Sequence, residues 1–327
     1  MKQYKVAIIG NGMICNAAHI PAYKAMGDKV KIVAVADIRE EAAKETAERH
    51  GIPKYYVDPY KMLEEEKPDI ISVCTPNAYH KEYTLAGFRV GCHVVCEKPV
   101  AVTCADAEEM FNAAEKAGKH LFVIQSLRFT GNFKAAAGLA KSGCLGDIYY
   151  ADLNLVRRRG VPRWGMFHMA KENVGGAFCD LGVHMCDYLM SISGNPKMVS
   201  VSGSAVTRIV NKEKNIEFSN AESGAPTGLF TPRKFDMKEF DVEEFANGYI
   251  RLENGMTVTF KISWALNLPN SNTVSICGDK GGLTIGDDGL KLLTTQGNYQ
   301  ADVLPRVFPD PYTELSDFTL SLIHISE

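Results

Sequence analysis

The run Tyr4-Lys5-Val6-Ala7-Ile8-Ile9-Gly10-Asn11-Gly12-Met13-Ile14-Cys15 constrains this chain more than any other stretch. Val6 to Ile9 is a short, continuous apolar segment of the kind that makes a strand buried on both faces of a parallel sheet. Gly10 permits a tight turn after it. Gly12 has no Cβ to keep a phosphate away from the backbone. A helix beginning near Met13 and Ile14 would offer that anion its unpaired N–H groups and its positive dipole end. The segment therefore predicts a strand, a phosphate-binding turn and a helix. Cys15 stands where a third glycine is usual; the position serves close helix-to-strand packing, for which a small thiol can suffice.

A second apolar run, Lys31-Ile32-Val33-Ala34-Val35-Ala36-Asp37, ends in a carboxylate roughly 20 residues past the turn, the spacing of a dinucleotide fingerprint. Asp37 is suited to accept both ribose hydroxyls of an adenosine. The alternative is an aspartate that caps the expected Arg39–His50 helix. A carboxylate here repels a 2′-phosphate and points to NAD, while Arg39 keeps NADP open.

With 327 residues, the chain exceeds the usual single core and predicts two domains. Its net charge of −3 gives no electrostatic case for nucleic acid. No apolar run approaches a membrane span, and the chain enters a strand almost at once. The expectation is a cytoplasmic protein whose partners are small molecules or copies of itself. The cysteine count, 9, is odd, and no pair has C-x-x-C spacing. Reduced thiols are expected rather than disulfides or a zinc site.

Up to about Gln125, strand-like runs (Ile70–Cys74, His93–Cys96, His120–Ile124) alternate with helical segments (His80–Val90, Ala105–Ala117). This alternation predicts a doubly wound parallel α/β sheet over residues 1–125. Ligands of such sheets gather at the carboxyl ends of the strands. Thr75-Pro76-Asn77 and Glu97-Lys98-Pro99 fall there. Past a helix around Asn132–Ser142 the texture changes. Ile148–Val156 begins a series of strands without intervening helices. In Tyr249–Trp264 the Asn254-Gly255 pair predicts a type I′ hairpin turn. Val258, Phe260, Ile262 and Trp264 share one face, and Thr257, Thr259, Lys261 and Ser263 the other. Residues 126–327 are thus expected to form an α+β domain with a large open antiparallel sheet. Asn211 to about Phe240 reads as a long loop.

With the glycine turn, Asp37, Thr75-Pro76-Asn77, Glu97-Lys98-Pro99 and Gly176-Ala177-Phe178-Cys179-Asp180-Leu181-Gly182-Val183-His184 in this order, the chain resembles the Gfo/Idh/MocA oxidoreductases over nearly its whole length. The resemblance implies an N-terminal Rossmann domain, NAD(P) as cofactor and a catalytic set of Lys98, Asp180 and His184. It implies that Glu97 and Pro99 shape the nicotinamide side and that the peptide before Pro99 is often cis. It also implies chain beyond a helix begun at Tyr312–Leu322, so Ser321–Glu327 is expected to be a truncated or foreign tail.

Oxidising a secondary alcohol with a nicotinamide needs a held hydride acceptor and a base for the O–H proton. In an expected Asp180–Met190 helix, Asp180, His184 and Asp187 project from one face, where the carboxylates can orient or charge the imidazole. The alternatives are an N-capping Asp180 and a core His184. Lys98 is expected in a partly desolvated position that disfavours its charge; the alternative is a surface lysine paired with Glu97. A metal set of Asp180, His184 and His168 lacks a third ligand at a defined spacing, and no metal is expected. Arg157-Arg158-Arg159-Gly160-Val161-Pro162-Arg163-Trp164 combines donors with an aromatic platform suited to sugars. Arg158 and Trp164 are the candidates, with Arg128 and Tyr150 weaker; a solvated basic loop is the alternative. His80 lines the cofactor cleft or merely begins a helix.

The resulting expectation is an NAD-dependent oxidoreductase of a sugar, sugar derivative or cyclitol, homo-oligomeric through its open sheet. Two alternatives stand beside it. One is an NAD-dependent glycoside-cleaving enzyme that uses transient ring oxidation and elimination. The other is a catalytically silent NAD-binding protein.

Overall fold

The computed structural model of the chain describes residues 2–210, 212, 218, 221–224 and 228–307. The helix expected from Tyr312, the C-terminal tail and much of the expected long loop lie outside the described residues. Strands β1 (Tyr4–Ile9), β2 (Val30–Ala36), β3 (Tyr55–Tyr56), β4 (Ile70–Val73), β5 (His93–Cys96) and β6 (Leu121–Val123) form a parallel sheet in the order β3-β2-β1-β4-β5-β6. Helices α1 (Ile20–Ala25), α2 (Glu40–His50), α3 (Pro59–Glu66), α4 (His80–Arg89) and α5 (Cys104–Ala117) lie on the connections between its strands. The winding reverses between β1 and β4, which opens a crevice at their carboxyl ends.

Val6, Ala7 and Ile8 are fully buried, as a strand covered on both faces requires. Gly10 follows with φ of +90°, and a Cβ there would lie 2.6 Å from the Cys74 carbonyl oxygen. The exit of β1 thus presses directly on the exit of β4. Cys15 is also fully buried, packed with Val6, Ile8 and Ile20, so its thiol fills the place of a packing glycine. The helix that leaves the turn passes through a π-helical segment, Cys15–His19, before α1. Such wide turns insert an extra residue into the helix.

The second sheet contains β7 (Ile148–Val156), β8 (Met198–Val206), β9 (Phe245–Leu252), β10 (Thr257–Ser263), β11 (Ser271–Gly278), β12 (Gly282–Gly286), β13 (Gly289–Gln296) and β14 (Tyr299–Val303). Its order is β14-β13-β12-β11-β7-β10-β9-β8. The expected antiparallel arrangement holds except at one place: β7 and β10 pair in parallel, with Thr257 opposite Tyr150 and Ser263 opposite Val156. The hairpin turn also differs from expectation. Gly255 has φ of +85° but Asn254 is not left-handed, and the Gly255 N–H donates to the Leu252 carbonyl. This is a type I turn closed by a left-handed glycine, not type I′, which needs positive φ at both central residues.

Helices α6 (Gly131–Lys141), α7 (Ala170–Asn173) and α8 (Val183–Ile192) complete this half. Ala136 on α6 and Met185 and Leu189 on α8 join the core with Ala151, Leu153, Val258, Phe260 and Ile262 of the sheet. Phe133 meets Tyr188 edge-on at 4.6 Å. The anticipated division of faces on β10 is present in part: Val258, Phe260, Ile262 and Trp264 are buried and Thr257, Thr259 and Lys261 partly exposed, but Ser263, expected on the polar face, is fully buried, its hydroxyl donating to the Arg157 carbonyl at 3.1 Å.

Gly10→Ala tests the crevice geometry. It forces an L residue into left-handed backbone and a methyl group against fixed main chain. A loss of about 2–4 kcal/mol in urea unfolding is expected, against about 1 or less for Gly12→Ala, which meets open space.

Candidate active site

The carboxyl ends of β1, β2, β4 and β5 open into a cavity of about 650 Å³ that runs across to the second sheet. At one end lie Gly10, Gly12, Met13, Ile14, Asp37 and Arg39. Gly12 has nothing within 4 Å of the place a Cβ would take, so the backbone is open to a ligand there. Both Asp37 oxygens are anchored by main chain: Oδ2 accepts the Asn11 N–H at 2.8 Å and Oδ1 the Arg39 N–H at 2.9 Å. Asp37 is not the cap of α2, whose N-cap position is Arg39 without a side-chain bond; it holds the turn before that helix and faces the cavity. Each carboxylate oxygen keeps acceptor capacity for a ribose hydroxyl. Ile38, Pro59 and Tyr83 add an apolar wall that sequence reasoning did not single out. The turn, the open backbone and the doubly anchored carboxylate fit an adenosine dinucleotide.

Thr75, Pro76, Asn77 and His80 continue the lining. Asn77 is buried and donates through Nδ2 to the Asn173 carbonyl at 3.0 Å, which ties it to α7. His80 is fully buried, with Nδ1 2.7 Å from the Pro99 carbonyl and Nε2 3.0 Å from the Thr75 carbonyl. It both begins α4 and braces two loops of the cavity wall. Lys98–Pro99 is a cis peptide.

The chemistry-bearing groups meet at the opposite end. Asp180 lies in a π-helical segment, Phe178–Gly182, that leads into α8, so the expected regular helix from Asp180 begins three residues later. Gly176 lets this segment approach closely, since a Cβ there would meet the Glu243 carbonyl oxygen. The Glu243 carboxylate accepts the Gly176 and Phe178 N–H groups, at 2.8 and 3.0 Å. Glu243, not Asp180, therefore serves as the acceptor at this helix start.

Lys98 Nζ donates to the Asp180 Oδ1 at 3.0 Å and to the Asp180 carbonyl at 2.9 Å. Asp180 Oδ2 accepts Trp264 Nε1–H at 3.0 Å. Burial alone would raise the Asp180 pKa; Lys98 and Arg157, with the hydrogen bonds from Lys98 and Trp264, outweigh it and hold the carboxyl below its usual range. His184 is pulled down to about 4, first by burial and then by the Lys98 charge. Its Nδ1 is buried without a hydrogen-bond partner. The imidazole is thus neutral, and neither Asp180 nor Asp187 holds it. The expectation that these carboxylates orient His184 is corrected: Asp180 is taken by Lys98 and Trp264, and Asp187 grips Arg128 Nε and an Nη at 2.7 and 2.6 Å.

That bidentate pair also removes Arg128 from the cavity wall, and the exposed Arg158 is likewise absent from it. Of the arginines in the 157–163 run, the one that lines the cavity is Arg157, beside Leu155. Its position continues the alternation Ala151, Leu153, Leu155 along β7, a parity the sequence did carry. Trp164 does line the cavity, fixed by its Nε1–H donating to Ser223 Oγ at 3.2 Å and by edge contact with Phe167 at 4.6 Å. Tyr150 points elsewhere, hydrogen-bonded to Thr259 Oγ1 on the open sheet face. Glu97 pairs not with Lys98 but with the buried His19, at 2.9 Å. Among the described residues, no His, Cys, Asp or Glu cluster is arranged to hold a metal ion, and no helix is long and apolar enough to cross a membrane.

The family model for the NAD-binding Rossmann fold of the Gfo/Idh/MocA oxidoreductases matches residues 4–125, and that for their C-terminal domain matches residues 133–284. The chain is 35% identical to D-glucoside 3-dehydrogenase of Escherichia coli over 86% of its own length and 76% of the relative's. It is 30% identical to myo-inositol 2-dehydrogenase of Thermotoga maritima over 58% of this chain and 55% of that one. The fold superposes on levoglucosan dehydrogenase, solved with NADH and levoglucosan, with a TM-score of 0.78 at 19% identity, covering 98% of this chain and 88% of that one. Glycine turn, anchored carboxylate and sheet architecture agree with these matches, and the chain belongs to the Gfo/Idh/MocA family of NAD-binding oxidoreductases.

Proposed function

We propose that the chain is an NAD-dependent dehydrogenase that oxidises a secondary hydroxyl of a sugar, sugar derivative or cyclitol, with residues 1–125 binding the cofactor and 126–327 the substrate. The observation that carries this reading is the meeting of Lys98, Asp180 and a neutral His184 at the cavity end remote from Asp37. NAD, when bound, supplies the hydride acceptor. His184 takes the hydroxyl proton. A base with pKa near 4 is weak for this task, so the alcohol itself must be made more acidic. Lys98 supplies that help. Two of its N–H donors are directed to Asp180, and the third is left for the substrate oxygen. Asp180 fixes the direction of that donor. Arg157 and Trp164 support the sugar reading as a donor fork and a ring platform on the same wall. The sugar and cyclitol dehydrogenases among the relatives support the substrate class.

Replacing His184 by Ala should reduce turnover by roughly 10²–10⁴-fold while NAD binding persists. Lys98→Ala should act similarly, and the double variant should lose less than the product because both groups act on one proton. Steady-state kinetics over a panel of sugars, cyclitols and glycosides, with cofactor affinity measured separately, checks this; near-normal turnover of His184→Ala would remove the histidine from the mechanism. Fluorescence titration should show NAD bound more tightly than NADP. The reverse order would shift the assignment from Asp37 to Arg39.

His184 also sets an acid limit on stability. Its folded pKa near 4 lies below the unfolded value of about 6.5. Its contribution is therefore complete above about pH 6.5 and is lost as the pH falls towards 4, because only the unfolded chain takes up the proton. The effect is on the order of 3 kcal/mol across that window. Urea unfolding at neutral pH and near pH 4.5 should show the loss, and His184→Asn should flatten it.

The open face of the second sheet, with Tyr150, Thr259 and Asp152 hydrogen-bonded together and the edge strand β8 largely exposed, suits a homo-oligomer formed through this face. Light scattering at micromolar concentration should report a dimer or tetramer; a strict monomer would count against it.

A further inference from the structure

The mechanism leaves one buried group of titratable side chains unused. Glu97 is 7% exposed, yet a buried carboxylate persists only with donors on its oxygens. Oε2 accepts the Lys98 main-chain N–H at 3.2 Å, and Oε1 faces His19 Nε2 at 2.9 Å. Behind it, His19 Nδ1 lies 3.1 Å from Ser72 Oγ, which lies 2.7 Å from the Tyr23 hydroxyl. His19 and Ser72 are fully buried and Tyr23 nearly so.

One arrangement of the protons satisfies the whole chain. Tyr23 donates to Ser72, Ser72 donates to His19 Nδ1, and His19 Nε2–H donates to Glu97. The imidazole then carries a single proton, and Glu97 bears the only charge. An imidazolium would donate through Nδ1–H to Ser72 Oγ, which can accept from Tyr23 as well, so the Ser72 or the Tyr23 hydroxyl hydrogen would then need an acceptor outside these four groups. Burial pushes the Tyr23 pKa up, so it keeps that hydrogen.

Glu97 lines the cavity beside Lys98, at the end where Asp180 and His184 gather. Whatever accepts the hydride must present its reacting ring there. Lys98 directs two of its hydrogen bonds to Asp180, so those two charges largely offset each other. Glu97 remains as a carboxylate in the same wall, held by the Lys98 main-chain N–H and by His19.

We propose that His19 is a positioning residue for the nicotinamide end of the site: with Ser72 and Tyr23 behind it, it holds Glu97 as a buried anion that favours the oxidised, cationic cofactor over the reduced one. A unit charge several ångströms away at an effective dielectric of about 20 changes such a preference by at least about tenfold. The proposal rests on NAD binding and is independent of the substrate.

The test compares NAD and NADH affinities, by calorimetry and by NADH fluorescence, in the full chain at neutral pH. Glu97→Gln should lower the ratio of NAD to NADH affinity at least about tenfold and leave NADH binding within about twofold. His19→Leu strands the carboxylate without its donor, which makes it take up a proton, and should lower the ratio similarly. His19→Gln restores a neutral donor and should keep the ratio within about twofold of the unmodified protein. Equal losses for both cofactors in Glu97→Gln, or an unchanged ratio, would make the pair merely structural and overturn the proposal. A ratio that rises in His19→Gln would show that His19 carried a charge, and would overturn it too. Circular dichroism identifies a variant that does not fold; should His19→Leu be one, Glu97→Gln and His19→Gln still decide. Failure of the unmodified protein to bind either cofactor would instead refute the cofactor reading on which the proposal stands.

Discussion

The Asp180 carboxylate joins the two halves of the site. One oxygen and its own carbonyl receive Lys98, which follows β5 of the parallel sheet; the other oxygen receives Trp264, which follows β10 of the second sheet. A carboxylate taken out of water is stable only while such partners remain, and removing one from a buried pair typically costs about 3–5 kcal/mol. The orientation of the lysine, the seating of the tryptophan and the entry into α8 are therefore coupled. The same contact that fixes the Lys98 amine also ties the segment after β5 to the start of α8 and to Trp264 after β10.

The cofactor end is built on a different logic, that of main chain fixed in advance. Gly10 lets β1 lean on β4 where a side chain would collide. Asp37 then reaches back from β2 to the Asn11 N–H, so the carboxylate and the glycine turn constrain each other. A ligand that meets such a site does not have to order it, which saves the side-chain and loop entropy that binding otherwise costs. At the other end of the cavity, order comes from buried charge, and here it comes from backbone geometry.

What the sequence made legible follows from the range of each interaction. Strands β1 and β2, the helices between them and the face shared by Val258, Phe260, Ile262 and Trp264 are local patterns, and the structure has them. The parallel pairing of β7 with β10 joins segments about a hundred residues apart, and no local period announces it. Asp187 illustrates a second limit: helical spacing correctly placed it near His184, but Arg128, distant in sequence, claims it. The Arg157 and Arg158 choice was different. Continuing the strand parity one step past Val156 selects Arg157 over Arg158, a signal that is local and present in the sequence. The Asn-Gly turn shows the reverse, a correct hairpin with the wrong backbone, because the same pair also serves a type I turn closed by a left-handed glycine.

His184 draws these lines together. In many catalytic dyads a carboxylate fixes the imidazole and stabilises its protonated form. Here the neighbouring carboxylate is engaged elsewhere, and burial with the Lys98 charge keeps the ring neutral. Its orientation is consequently set by packing on α8 and not by a charged partner. A ring held this way, with its pKa pulled down to about 4, is neutral at neutral pH. In the proposed reaction its basicity need only exceed that of the alcohol at the moment hydride leaves, when the developing carbonyl makes the hydroxyl proton far more acidic. The burial that lowers the ring's pKa thus supports the proposed coupling of proton loss to hydride loss, in which Lys98 bears on the oxygen from which both the proton and the new double bond derive.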